Sequence, residues 1–526
     1  MRATNCLALA LLLVVVSCSP SPVSESRPSI THGEVATLVG GPVVLDGARF
    51  GSRSPDSALI ATDSLGALHR IASTDPAIDL WSDQRITVHL PSTIRSGTLE
   101  VDTPSGRSHA VTLDVYRYDT FAVPEHPGAN ASPLALAIDG AGRVWLNQEF
   151  HLDSAPLALL QLPATELALI DVQAPPGSGP FATRIGGADK NTHFSELGED
   201  VVVDSRGRIW LSEGGGLLYD GRLSNHSRVV SYDPSAPAAA RVRVYNLPGD
   251  HNEIIGMAWD SGRGRLWLAE GGLQIGPKLL SFDPELTPFD NAFDFSGPLD
   301  SLLHSVHDAD PTGYRVYPLP SRSAYPAHVL VATDGSIWFT AYIGNTIGRL
   351  DPATGAVAVL PLPRSSSTNP AARAFATGGP WDIVASPRGG LAFNSQFDNT
   401  VSRVDRPRTT NLASCLALDR SGRNPCVRTL AVPGDLTHEL IHSATFDPSG
   451  RLWFTQHASG AAAGTLVSVG FVDPGWSYLV MLPSLPGRPG ESPETASNDG
   501  IAIDPQSGDV WFAEYFRHRV SRLHRV

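Results

Sequence analysis

The stretch "HELIHSATFDPSGRLWFTQHASG", His438 to Gly460, places His438, His442 and His457 within one short unit. An imidazole changes charge near neutral pH, so a histidine held beside fixed acids is suited to taking a proton from a substrate. His442 is the candidate base, and Asp499 and Glu514 in the following unit are the paired carboxylates that proton abstraction would require nearby. Trp381, Gln456, Glu199, Glu213 and Glu270 hold matching positions in other units and are the candidate substrate contacts. A second reading stays open, in which His442 is a hydrogen-bonded lining residue of a binding protein and the acids are a solvated surface. "HELIH" has the spacing of a zinc-protease motif but runs into a strand-like pattern, so its two histidines would not share a helix face. His438 and His457 flank the strands and are assigned to rim loops. No G-x-S-x-G elbow and no phosphate-cradling glycine loop is present.

What must position these residues is a repeat. An apolar strand, an Asp/Gly turn and a second apolar strand return seven times: "LALAIDGAGRVWL", "EDVVVDSRGRIWL", "IGMAWDSGRGRLWL", "AHVLVATDGSIWF", "WDIVASPRGGLAF", "HSATFDPSGRLWF" and "DGIAIDPQSGDVWF". Such a hairpin cannot bury its faces alone, so the copies must stack. Two further strand-like pieces follow each, clearest in "NTIGRLDPATGAVAVLPLP", which makes each unit a four-stranded propeller blade. The last copy ends at "HRVSRLHRV" without a fourth strand, and "YRYDTFAVPE" (Tyr116 to Glu125) precedes the first, so the N-terminal piece is expected to close the ring. Aligned on their turns, the copies put Leu134, Glu199, Ile255, Ala327, Trp381, His442 and Asp499 in one column at the start of the first strand. A second column, after the second strand, reads Gln148, Glu213, Glu270, Ala341, Ser395, Gln456 and Glu514. First strands line the axis of a propeller, so the first column should converge on one mouth of the channel. The repeated Trp is expected to be blade core.

The segments "GSIWFTAYIGNTIGRLDPATGAVAVLPLP" and "GPWDIVASPRGGLAFNSQFDNTVSRVD" resemble the streptogramin lyase family, the virginiamycin B lyases, over roughly residues 116–526. The resemblance implies a seven-bladed β-propeller. It also implies a carbon–oxygen lyase that opens a cyclic depsipeptide ester by elimination, a histidine taking the α proton while Mg²⁺ polarises the carbonyl. His442 falls at the family's base position, and the resemblance implies a Mg²⁺ for which Asp499 and Glu514 in the following unit are the candidate ligands, since the ion prefers hard oxygen donors. Where the family has a metal-binding Glu this chain has Gln456, where it has another Glu stands Leu440, and Trp381 replaces a substrate-contacting His. Insertions such as "LTPFDNAFDFSGPLDSLLHSVHDADPTG" in the third copy are expected as rim loops.

The rest of the chain places the propeller. Residues 31–115 carry short alternating strands in the order "LDGARFG", "WSDQRITVHLP", "GTLEVDTPSG", which resembles the IPT/TIG immunoglobulin-like domains, a spacer or contact module. The all-β chain is thus read as an Ig-like β-sandwich followed by a propeller. The N-terminus "MRATNCLALALLLVVVSCSPSP" has one basic residue and an apolar run too short to cross a bilayer. Its "VVSC" resembles a bacterial lipobox, implying a signal peptide over 1–17, a lipidated Cys18 and a polar tether over 18–30. Ser19 suggests outer-membrane sorting, so the expected address is the bacterial cell envelope. Cys6 leaves with the signal, and Cys415 and Cys426 flank the turn "LALDRSGRNP" as an expected disulfide. A net charge of −14 opposes nucleic-acid binding. The expected partners are a small molecule or an envelope protein, plus the membrane through the lipid, with the chain a monomer.

Overall fold

The computed structural model describes residues 27–123, 130–151, 165–170, 182–185, 200–213, 228–237, 240–246, 254–271, 277–287, 313–320, 325–405, 412–433, 439–458, 469–483, 485 and 498–526. Cys18, Glu199 and His438 lie outside them. Among the described residues, six four-stranded antiparallel sheets follow one another in chain order from Asn130 to Met481. A further four strands complete the set: Asn498–Ile503, Val510–Glu514, Arg519–Arg525 and, from far upstream, Val111–Ala122. Each sheet touches the next through its first strand, and the first strand of the last sheet touches Asn130–Ile138 of the first. The ring is therefore closed, and the fold is an all-β propeller.

The repeat explains its own turns. Asp139 accepts the backbone N–H groups of Ala141 and Arg143 on Oδ1, an Asx turn that fixes the hairpin, and takes the Trp145 indole N–H on Oδ2 at 2.9 Å. Asp204 with Trp210 and Asp447 with Trp453 repeat the indole bond, each at 3.0 Å. One side chain thus shapes the turn and satisfies the one polar atom of a buried tryptophan. Trp145, Trp210, Trp267, Trp338 and Trp453 are buried and pack between neighbouring sheets, which assigns them to blade core.

The closing strand is common to two units. Tyr116–Ala122 pairs antiparallel with Arg519–Arg525, while Val111–Leu113 pairs with the sandwich strand Gly97–Thr103 and Thr112–Tyr116 runs parallel to Glu34–Leu38. The boundary expected at 115/116 therefore falls inside one continuous strand rather than in a linker. Residues 29–115 form two facing sheets around a core of Leu45, Phe50, Trp81, Leu59, Val101 and Leu113. A buried ion cluster ties these sheets to the sixth blade: Arg451 contacts Glu34 and lies 2.9 Å from Asp114, which also receives Arg525 at 2.6 Å. Burial pushes Glu34 up to about 7, and Arg451 opposes that shift. The disulfide is formed, Cys415 to Cys426, pinning a turn of the fifth blade to its outer strand Val427–Ala431.

Removing Arg451 leaves Asp114 and Glu34 buried without their shared guanidinium. Arg451→Leu should lower stability by about 3 kcal/mol or more, read as a shift of the urea midpoint at unchanged slope. A midpoint within error of the wild type would show that the cluster contributes nothing to the junction.

Candidate functional site

The first strands do not alternate regularly. In six of the sheets described, the pairing of first and second strands slips at the same place: between Pro133 and Leu136, Ile254 and Met257, Pro326 and Val329, Pro380 and Ile383, Ile441 and Ala444, and Asn498 and Ile501. Each slip is a β-bulge, which inserts residues without ladder partners and re-aims their side chains. The bulge holds the first-column residue and the one after it. The freed N–H of that next residue is taken by a polar side chain twelve positions later: Ala135 by Asn147 at 2.7 Å, Asp200 by Ser212 at 3.1 Å, His328 by Thr340 at 3.1 Å, Asp382 by Asn394 at 2.8 Å and Ser443 by Thr455 at 3.2 Å. In the third and seventh sheets the position is glycine. A Cβ on Gly256 would sit 2.6 Å from His328 Cα, and one on Gly500 would sit 2.7 Å from the Leu134 carbonyl, so neighbouring strands approach there as only glycine allows.

The bulges surround an axial cavity of about 900 Å³. Its polar lining includes Asp200, His328, Trp381, Asp382 and His442, with Tyr325, Tyr342 and Tyr515 around them. The Trp381 ring is the hub, 5.1 Å from Tyr342, 5.5 Å from His328 and 5.7 Å from His442. His442 is held through its carbonyl, which accepts from Asn394 Nδ2 at 2.9 Å. His328 Nδ1 lies 3.7 Å from Asp382. Burial lowers the His328 pKa, the Asp382 charge opposes that and His442 adds to it, so this imidazole is kept neutral near pH 7.

Both cavity carboxylates are positioned by backbone. Asp382 accepts from Ile383 N at 2.7 Å and, across to the sixth sheet, from Ala444 N at 2.9 Å. Asp200 does the same with Val201 N at 2.8 Å and with Met257 N of the third sheet at 2.7 Å. Burial above all, then the charge of Asp382, pushes Asp200 up to about 8.

Of the residues expected from sequence, the structure brings His442 and Trp381 together at the cavity. Glu514 is placed elsewhere, and its expected role as a metal ligand is corrected. It is fully buried, accepts from Arg519 Nε at 2.9 Å and Arg517 Nη1 at 3.1 Å, and bonds the hydroxyls of Tyr118 and Ser521. Two guanidiniums neutralise that carboxylate, so it has no charge left to offer a divalent ion. Glu270 is likewise buried in an ion pair with Lys278 at 2.7 Å. Gln456 is buried and donates to Asn399 Oδ1 at 3.3 Å and the Pro433 carbonyl at 3.2 Å; neither it nor Glu270 lines the cavity. Glu213 ends a second strand, and its side chain, like those of Asp499 and His457, lies outside the described residues. Among the described residues no three His, Cys, Asp or Glu side chains are grouped to hold a metal ion.

Sequence reasoning missed Asp200, His328 and Asp382, one residue past the first column. The available signal was the Asn, Ser or Thr twelve positions on, whose side chain marks the bulge.

The fold and the axial cavity define a β-propeller protein with a lined central site. No protein-family model matches the sequence, and no curated protein is similar to it in sequence. Among solved structures the chain is similar to virginiamycin B lyase from Staphylococcus aureus, at 15% identity and a TM-score of 0.50 over 78% of this chain and 100% of that one. A streptogramin B lyase gives 16% and 0.49 over 78% and 97%. The periplasmic gluconolactonase of Pseudomonas aeruginosa gives 12% and 0.40 over 73% and 89%.

Asp200 carries a pH signature. Its folded pKa is above the usual carboxylate value, so the fold keeps a proton that the unfolded chain releases, and stability falls as pH rises from about 4 to about 8. Asp200→Asn should flatten that fall, measured as melting temperature from acid to alkaline pH. Identical slopes in both proteins would assign the effect to another group.

Proposed function

We propose that the protein is an exported, lipid-anchored propeller that binds a small molecule in its axial cavity. The cavity carries this reading: about 900 Å³ lies within the range of small-ligand sites, roughly 300–1,000 Å³. Its lining combines an aromatic hub at Trp381 with a few fixed polar groups, the balance by which such sites orient a ligand. The export half rests on the short apolar leader and the lipobox-like Cys18, with the sandwich as a spacer or contact module that can also meet an envelope partner. A second reading is favoured by one observation, the position of His442 in the cavity wall against Trp381. It is a carbon–oxygen lyase acting on a cyclic depsipeptide of the streptogramin B kind, with His442 taking the proton.

A small-molecule screen by thermal shift should yield compounds that raise the melting temperature of the wild type and fail to do so with Trp381→Ala. If no stabilising compound depends on Trp381, the binding reading is lost. Incubation with a streptogramin B depsipeptide and Mg²⁺ separates the two readings: ring opening abolished by His442→Ala supports the lyase, and an intact ring supports binding alone. Anchoring is checked by labelled palmitate, which should enter the wild-type chain in a bacterial host and be absent from Cys18→Ala.

A further inference from the structure

We infer that the cavity is built for an organic cation, a protonated amine on an apolar or aromatic body; this rests on reading the cavity as a ligand site. The first ground is charge. Asp200 and Asp382 both line the cavity, and neither Lys nor Arg does among the described residues. The imidazole nearest to Asp382 is His328, kept neutral by burial, so it supplies no compensating charge. The two carboxylates are held by pairs of backbone N–H groups from adjacent sheets, which fixes them where they stand. Three acids buried elsewhere receive cations: Glu514 has two arginines, Glu270 has Lys278 and Asp114 has Arg451 and Arg525. At the cavity that partner is missing from the lining, and a ligand can supply it.

The second ground is the aromatic wall. Tyr325, Tyr342 and Trp381 follow one another at centroid separations of 6.0 and 5.1 Å, and all line the cavity. Aromatic faces attract a cation through the ring quadrupole while accepting its apolar body. The Trp381 indole N–H is buried and has no hydrogen-bond partner among the described residues, so it is the ring of Trp381 that meets the ligand. A small, hard metal ion suits this lining poorly, because it demands direct carboxylate oxygens at short range from several sides. A diffuse ammonium needs only nearby negative charge and polarisable walls. Asp382 carries the charge of the empty cavity while burial and Asp382 keep Asp200 protonated, and a cation bound beside them would favour ionisation of Asp200.

Three probes of one shape and different charge test this: 2-phenylethylammonium, 2-phenylethanol and phenylacetate, compared by saturation-transfer NMR on the full chain at neutral pH. The amine should bind about tenfold more tightly than the alcohol, and phenylacetate should give no signal. Asp200→Asn combined with Asp382→Asn should abolish the preference for the amine while the alcohol still binds, and Trp381→Leu should weaken amine and alcohol alike. Equal binding of amine and alcohol, or a preference for phenylacetate, overturns the cation inference and leaves the cavity a ligand site. Binding by none of the three overturns the inference as well, and the thermal-shift screen then decides the broader reading. If the double variant fails to fold, the ranking of the three probes on the wild type remains decisive.

Discussion

Ring closure by the strand Val111–Ala122 is the constraint on which the rest depends. A stack of hairpins linked only to its neighbours has two open edges, each a row of unpaired backbone groups. Here the edge left by Arg519–Arg525 is paired along seven residues by Tyr116–Ala122. The contact joins chain segments about four hundred residues apart, so its loop-closure entropy must be offset by many interactions formed together. The strand supplies them on both sides: Tyr116 packs into a core with Trp453, Phe512 and Leu523, and Asp119 meets Arg522 at 2.7 Å. Because the same strand continues into the sandwich, the N-terminal sheets are part of the closure, and Ala36 and Leu38 share that core.

Closure in turn fixes the diameter of the axis, and the bulges decide what faces it. In a regular strand, neighbouring residues point to opposite faces, so each first strand would offer the channel one residue of each adjacent pair. The bulge breaks that rule at the channel. It turns Trp381 and Asp382, and likewise His442 and Ser443, into adjacent residues that both line the cavity. It also lets Asp382 reach the backbone of the following sheet, as Asp200 does from the start of the second sheet, so the polar groups that define the cavity also stitch neighbouring sheets together. Site and scaffold therefore share hydrogen bonds.

Much of the scaffold was legible because its signals are local and repeated. The turn Asp and the Trp six residues later read as a hairpin in sequence, and Asp139 with Trp145, Asp204 with Trp210 and Asp447 with Trp453 are bonded to each other in the structure. The closing strand was legible from an omission, since the last copy lacks a fourth strand and the segment before the first copy has one to give. Cys415 and Cys426 were legible from spacing and meet as a disulfide. The site was less so. His442 and Trp381 were found because the first column is half of the bulge, whereas Asp200, His328 and Asp382 were missed because period-two reasoning turns them away from the axis. Glu514 misled for another reason: it is neutralised by two arginines whose direction no periodicity reveals, and it accepts the hydroxyl of Tyr118, nearly four hundred residues upstream.

The fates of the buried acids separate structure from function. Turn acids such as Asp204 are tied to a tryptophan and an arginine, Arg208 Nε lying 2.6 Å away, and so complete a local motif. Glu514, Glu270 and Asp114 are matched by cationic side chains and complete the packing between elements. Asp200 and Asp382 receive backbone N–H groups, which orient a carboxylate but do not cancel its charge. Each of the two accepts one backbone N–H on each carboxylate oxygen, a pair of bonds that the single carbonyl oxygen of an asparagine such as Asn147 or Asn394 does not supply. Keeping two carboxylates in a shared cavity raises Asp200 and costs stability, and the structural return is the pair of bonds by which each joins its own sheet to the next.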